Sequence, residues 1–408
     1  MGDVNSYTFI LIICLLVISS YLFNLFSKKT GIPSVLLLLL SGIAVRELLV
    51  FANIAFSVPS KLAEMLGIIG LIMIILEAGL DLRLSTRKIK LVRNAFFSAL
   101  IILVFSVFLS SVFLYYYLIE NYLNCLVYAI PFSVVSSAIV IPSISHLDEQ
   151  KKEFLVYETS FSDILGILFF NYIIAGNLLQ GWNITLFLGS IVLSVALSIG
   201  LSLLILLLLT RITTKVRFFL VFSILILLYT GGKLLHLPSL FIILLFGLIV
   251  SNWQQPLFAR FYKWIAFSRV NEISHLLHSL TAESSFLVRT FFFFIFGLTI
   301  DLRMVIDVEV MMAGSAIVLL LLSIRFFYLR FFLRSHIFPE LFFMPRGLIT
   351  ILLFYSIPDV FKLNKFNEGI LFFVILTTSV IMMIGSIAYG KPELQSINDE
   401  LPLQENTG

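Results

Sequence analysis

Charge is what this chain lacks most. Of its 408 residues only 12% are Asp, Glu, Lys or Arg, and the mean hydropathy is +1.09. Soluble domains carry roughly 25% charged residues, so this balance excludes a water-soluble fold. Cysteine is nearly absent. Cys14 and Cys125 both fall in apolar runs, which argues against a disulfide framework and leaves no metal-ligand spacing. The net charge of +4 says little about partners, because the basic residues cluster in short stretches. Nucleic acid is not an expected partner, and no cofactor is called for.

What is present is a series of apolar runs of about 20 residues, recurring from end to end. They predict an all-α polytopic membrane protein with about thirteen transmembrane helices. Approximate limits are 7–27, 33–50, 61–80, 94–118, 122–145, 153–175, 184–210, 216–234, 237–252, 282–301, 308–333, 339–357 and 367–389. Basic residues mark alternate connections: Lys28 and Lys29, then Arg83 to Arg93, Lys151 and Lys152, Arg211 to Arg217, Arg260 to Arg269, and Arg330 with Arg334. The positive-inside rule then places the N-terminus outside and the C-terminus in the cytoplasm, in the cell (inner) membrane. Residues 253–280 have the spaced charges of an interfacial linker helix. Residues 391–408 form a short polar cytoplasmic tail, and no Gly-rich stretch there suggests a nucleotide-binding regulatory domain.

Two pairs of spans repeat. Gly31-Ile-Pro-Ser-Val-Leu-Leu-Leu-Leu-Leu-Ser-Gly42 parallels His236-Leu-Pro-Ser-Leu-Phe-Ile-Ile-Leu-Leu-Phe-Gly247. Ala78-Gly-Leu-Asp-Leu-Arg83 parallels Gly297-Leu-Thr-Ile-Asp-Leu-Arg303. The offset is an odd number of spans, so the copies run in opposite orientations. An inverted-topology repeat with its sites near the midplane is the architecture of secondary transporters.

Glu158-Thr-Ser-Phe-Ser-Asp163 lies inside the sixth span. A charge at bilayer depth costs at least ~2.5–3.5 kcal/mol on insertion scales, so such a residue marks function by default. On a helix the two carboxylates project about 140° apart, so they need not share one site. Thr159 lies on the Asp163 face and Ser162 is its neighbour. A carboxylate with hydroxyls and backbone carbonyls suits a dehydrated alkali cation. The same carboxylate, taken out of water, holds a proton instead. One group that binds either ion but never both is sufficient for exchange. The bland alternative is a protonated Asp in a helix contact.

Other spans supply candidates. Ser136-Ser137-Ala-Ile-Val-Ile-Pro142 predicts a broken helix, since proline frees a carbonyl one turn back. Pro345-Arg346-Gly347, with Thr350 further in, is its counterpart in span 12. Glu77 is the candidate for a second carboxylate on the ion. Asp81 reads as a helix-end group pairing with a nearby Arg or Lys. A buried Glu158 needs a cation. Arg325 is the first choice, with Arg346 and Arg289 nearer span ends, where snorkelling is the plain explanation. His275 and His278 share a helical face that is expected to be solvated.

These motifs together resemble the monovalent cation:proton antiporter superfamily, the sodium/proton exchangers, over nearly the whole chain. Glu158-Thr-Ser-Phe-Ser-Asp163 is similar to that family's Glu-Ser-Leu-Leu-Asn-Asp signature. Leu76-Glu-Ala-Gly-Leu-Asp-Leu-Arg83 and Phe296-Gly-Leu-Thr-Ile-Asp-Leu302 are similar to two more of its motifs. The resemblance implies a homodimer, with scaffold helices at about 7–50 and 184–252. It implies a mobile core at about 61–175 and 282–390 that contains two crossed, discontinuous helices, spans 5 and 12. Asp163 would carry the ion and the proton alternately. Thr159, Ser137 and Glu77 match ion-ligating positions, and Glu158 with Arg325 matches a structural ion pair. Ser136, Arg346, Arg289 and Asp81 are secondary candidates. Ser162 departs from the family pattern: no second carboxylate precedes Asp163, which predicts electroneutral exchange. Ser136-Ser137-Ala-Ile139 looks more like the potassium/proton branch.

The expected function is therefore a secondary antiporter, not an enzyme, exchanging Na⁺, or alternatively K⁺ or Li⁺, for H⁺ by alternating access. The rival expectations are an ion-linked sensor or channel and a cation-coupled symporter of a small organic solute.

Overall fold

The computed structural model describes residues 6–30, 32–52, 60–82, 88–144, 147–174, 218–234, 239–253, 267–333 and 337–389, with scattered positions between 189 and 207. The protein is all-helical across these residues, as a bilayer requires, because a helix satisfies its own backbone hydrogen bonds. In chain order the helices are α1 (Ser6–Thr30), α2 (Ser34–Phe51), α3 (Ser60–Asp81), α4 (Ile89–Leu118), α5 (Tyr122–Ser133), α6 (Ser137–Ser143) and α7 (Glu149–Ile174). There follow α8 (Phe218–Leu234), α9 (Ser239–Ser251), α10 (Phe267–Thr299), α11 (Leu302–Val305), α12 (Val308–Phe327), α13 (Leu348–Tyr355) and α14 (Gly369–Tyr389). Seven of the described helical stretches are long and apolar enough to cross a membrane. The expected total of about thirteen is not reached among the described residues. Most of span 7 and the tail at 391–408 lie outside them, and α8 and α9 are shorter apolar helices.

The helices sort into two bundles. In one, α2 packs on α10, and α3 packs on both α9 and α10, with α1 and α8 at its margins. In the other, α4 packs on α5, α7 and α12, α12 packs on α14, and α13 packs on α5. The first bundle is built on glycine. A Cβ on Gly42 would collide with the Phe294 carbonyl and sit 3.0 Å from the Gly297 Cα. A Cβ on Gly79 would collide with the Leu244 carbonyl and sit 3.2 Å from the Gly247 Cα. Only glycine lets these backbones approach so closely. The two contacts are related by the exchange that takes α2 to α9 and α3 to α10. The glycines of the internal repeat thus meet across it.

α3 and the membrane half of α10, which chain position groups with the expected core, make their close glycine contacts with α9 and α2. The linker differs. From Phe267 onward the expected interfacial segment continues into span 10 as one 33-residue helix. The rest of that segment, 254–266, lies outside the described residues.

Spans 5 and 12 are both interrupted. The chain is extended between α5 and α6 at Val134–Ser136, and again before α13. The break in span 5 does not come from Pro142, which sits inside α6, just as Pro131 sits inside α5. Tertiary partners hold it open instead. The Val135 N–H donates to Ser162 Oγ at 2.9 Å, and the Ser136 N–H donates to the Pro345 carbonyl at 3.0 Å. Gly347 makes the crossing possible, since a Cβ there would lie 2.7 Å from Ser136 Oγ. Span 12 is helical only from Leu348, about half of what its apolar length predicts.

Candidate functional site

Asp163 lies midway along α7, where the two interrupted spans cross. It is buried, and its Oδ2 accepts the Ser137 N–H at 3.2 Å. That N–H is free to donate because it opens α6, where no preceding turn supplies a carbonyl. Asp163 Oδ1 has no hydrogen-bond partner, and among the described residues no basic side chain pairs with Asp163. The carboxylate faces a cavity of about 10 Å³. That is room for one water-sized sphere.

The cavity lies on the seam between the bundles. α6, α7 and α13 contribute Ser137, Ser160, Asp163, Ile164, Ile167 and Ile349. α3 and α9 contribute Ile74, Ile75, Ala78, Leu240 and Leu244. Every polar group on the lining comes from one side.

The other candidates are placed as follows. Ser136 and Thr350 are buried at the crossing with unpartnered hydroxyls, but neither lines the cavity. Ser162 is used to accept the Val135 N–H. Thr159 donates to the Leu155 carbonyl at 2.8 Å, back along its own helix. Glu77 turns away from the cavity and pairs with Arg289 at 3.3 Å between α3 and α10. Asp81 meets His278 at 2.7 Å, and among the described residues no Arg or Lys pairs with it, so that histidine is tied into the α3–α10 contact.

Glu158 and Arg325 form a bidentate pair, with distances of 2.7 and 3.3 Å, each only 1% exposed. Ser98 donates to the same carboxylate, and Arg325 Nε donates to the Glu340 carbonyl at 2.8 Å. The pair therefore fastens α7, α12, α4 and the segment before α13 together. Arg346 does not snorkel. It is 1% exposed, and its Nε donates to the Phe132 carbonyl at 2.6 Å in the last turn of α5. A helix C-terminus carries unsatisfied carbonyls and partial negative charge, which a guanidinium complements. The Arg346 N–H in turn donates to Thr378 of α14 at 3.0 Å. Sequence reasoning passed over Ser98, Glu340 and Ser160. Of these only Ser160 left a signal, its three-residue spacing from Asp163.

The sequence profile described as "Sodium/hydrogen exchanger, transmembrane" matches residues 12–388. No curated protein matches the chain. Two solved structures of the sodium proton antiporter MjNhaP1 from Methanocaldococcus jannaschii share its fold. The structure at pH 8 superposes with a TM-score of 0.67 at 19% identity, covering 93% of this chain and 98% of that one. The electron-microscopy structure gives 0.67 at 21% identity, covering 98% and 100%. The profile match over nearly the entire chain, on this fold, shows that the protein belongs to the sodium/hydrogen exchanger family.

Proposed function

We propose that the protein is a secondary antiporter that exchanges one monovalent cation for one proton, with Asp163 as the group that carries both in turn. Na⁺ is the first candidate, and K⁺ and Li⁺ are the alternatives. The observation that carries this is a single buried carboxylate, with one oxygen unpartnered, facing a cavity of about 10 Å³ on the seam between two bundles. An ionised Asp163 with a monovalent cation is neutral, and a protonated Asp163 is neutral. Both loaded states therefore cross a low-dielectric seam without the penalty that an uncompensated charge meets. The ionised, empty carboxylate alone pays that penalty, which couples the two fluxes. Because the residue before Asp163 is Ser162, no second carboxylate stands there to add a charge, and this favours electroneutral exchange.

The seam supports alternating access. The α4–α7 and α12–α14 bundle carries the polar groups, and the wall it faces is aliphatic. Apolar packing has no directional bonds to break when one body shifts against the other. A cavity this small has no room for an organic solute, which speaks against a symporter. The reading includes a homodimer in the cell membrane with the N-terminus outside.

Proteoliposomes with a pH-sensitive dye test the proposal. Addition of Na⁺, Li⁺ or K⁺ should move protons in the wild type and not in Asp163→Asn. Absence of cation-dependent proton movement in correctly assembled wild-type protein rejects antiport.

A further inference from the structure

One polar group on the cavity wall has no structural use. Ser160 is 1% exposed, lines the cavity, and its Oγ has no hydrogen-bond partner. Buried hydroxyls on helices ordinarily donate to the carbonyl one turn back. Here Ser133 donates to Ala129, Ser143 to Ile139, Thr159 to Leu155 and Thr378 to Val374. Ser160 departs from that habit, as do Ser106, Ser110, Thr281, Ser285 and Thr350, but of these Ser160 alone lines the cavity. Its hydroxyl leaves the Val156 carbonyl, which Thr159 reaches at 3.4 Å, and stands on the cavity lining instead.

Asp163 lies three residues on, so the two side chains are neighbours on one face of α7. Ser160 Oγ and Asp163 Oδ1 are both buried, both unpartnered, and both on a cavity whose other walls are chiefly Ile and Leu. Two hard oxygens around a space of about 10 Å³ match a dehydrated alkali cation in size and ligand type.

We propose that Ser160 Oγ is a direct ligand of the transported cation and sets which alkali ion the site prefers. This rests on the assignment of Asp163 as the exchange carboxylate. Selectivity among hard cations follows from ligand number and cavity size. Both residues are on one helix, so the spacing of the backbone positions that carry the two oxygens is fixed. Removing Ser160 Oγ takes away a ligand and widens the cavity, which harms small, strongly hydrated ions most.

The experiment compares wild type, Ser160→Ala, Ser160→Thr and Asp163→Asn in proteoliposomes, with KM measured for Li⁺, Na⁺ and K⁺ at one pH. Ser160→Ala should raise KM for Li⁺ and Na⁺ by roughly fivefold or more and for K⁺ by less, with Vmax within about twofold, the pattern of lost ground-state binding. Ser160→Thr keeps the hydroxyl and should restore the wild-type order of the three ions. Unchanged KM values in Ser160→Ala, beside a silent Asp163→Asn, would overturn the ligand role and leave the antiporter reading standing. An equal rise for all three ions would overturn the selectivity role. Exchange that survives in Asp163→Asn would instead overturn the carboxylate assignment. Should Ser160→Ala fail to yield monodisperse protein, Ser160→Cys makes the same comparison. Its soft sulfur should weaken Li⁺ and Na⁺ while sparing Tl⁺, and equal effects on all three would reject the proposal.

Discussion

The two bundles are held together by different physics. In the scaffold, backbones touch backbones: Gly42 meets Gly297, and Gly79 meets Gly247. In the core, side chains tie down backbone that is not helical. Ser162 holds Val135, Arg346 holds Phe132, and the Glu158–Arg325 pair reaches Glu340. Within a bilayer, apolar burial does not drive helices together, so close packing and hydrogen bonds must. Each bundle leans chiefly on one of these means, although Glu77–Arg289, Asp81–His278 and Arg46–Asp301 also bond between helices of the scaffold. A site needs free backbone groups and fixed polar atoms, and only the second means supplies both. The scaffold offers the core a flat aliphatic wall of Ile74, Ile75, Ala78, Leu240 and Leu244.

The contrast can be broken most severely in the core. Arg325→Met leaves Glu158 buried without a cation, a loss of about 3–5 kcal/mol for such a broken pair. Little folded protein should survive detergent extraction, judged by size exclusion and thermal unfolding. Replacing both partners, Glu158→Leu with Arg325→Met, should recover most of the yield, because two apolar groups of similar volume leave no buried charge. A failure of the double variant would show that Ser98 and the Glu340 carbonyl depend on the pair.

In the scaffold, Gly297→Ala drives a methyl group into the Leu39 carbonyl. Overpacking of this kind costs about 1–3 kcal/mol, read as a lower melting temperature. The same change at Gly79 should cost a similar amount if the two contacts are repeat-related. Unequal losses would weaken the symmetry.

On the aliphatic wall, Ile75→Asn leaves every polar group of the site in place but gives the seam a hydrogen-bonding group. Vmax should fall by roughly tenfold with the cation KM little changed. A change confined to KM would mean that the wall shapes the site rather than its movement.

The smallest effect belongs to Arg46–Asp301, a half-exposed pair of 2.9 Å that links α2 to the end of α10. Its removal should cost about 0–1 kcal/mol. The Arg46 hydrogen bond holds the Asp301 carboxyl below its usual range. Its contribution is therefore present above the ordinary carboxylate pKa and lost as pH falls through the depressed value. Asp301→Asn should lower the melting temperature slightly at neutral pH and not at all in strong acid.

How legible this was in the sequence varied with the range of the interaction. The repeat could be read because its glycines and Pro-Ser starts are local in each copy. Glu158–Arg325 could be inferred because a buried carboxylate demands a cation and few arginines lie within spans. The position of the break in span 5 could not be read, since Pro142 is the only local helix breaker after Ser137 and the true determinants, Ser162 and Pro345, are distant in sequence. Glu77 and Asp163 look alike as intramembrane carboxylates. Only packing shows that Arg289 occupies one and a cavity faces the other. The side of α3 that meets the core was hidden for the same reason.

The claim that Asp163 holds a proton or a cation, never both, is tested most directly by the cation KM as a function of pH in proteoliposomes. Competition for one carboxylate predicts that KM rises about tenfold for each pH unit on the acid side of its titration, by mass action, while Vmax at saturating cation stays constant. A KM that does not move with pH, with Vmax falling in its place, would contradict the shared site.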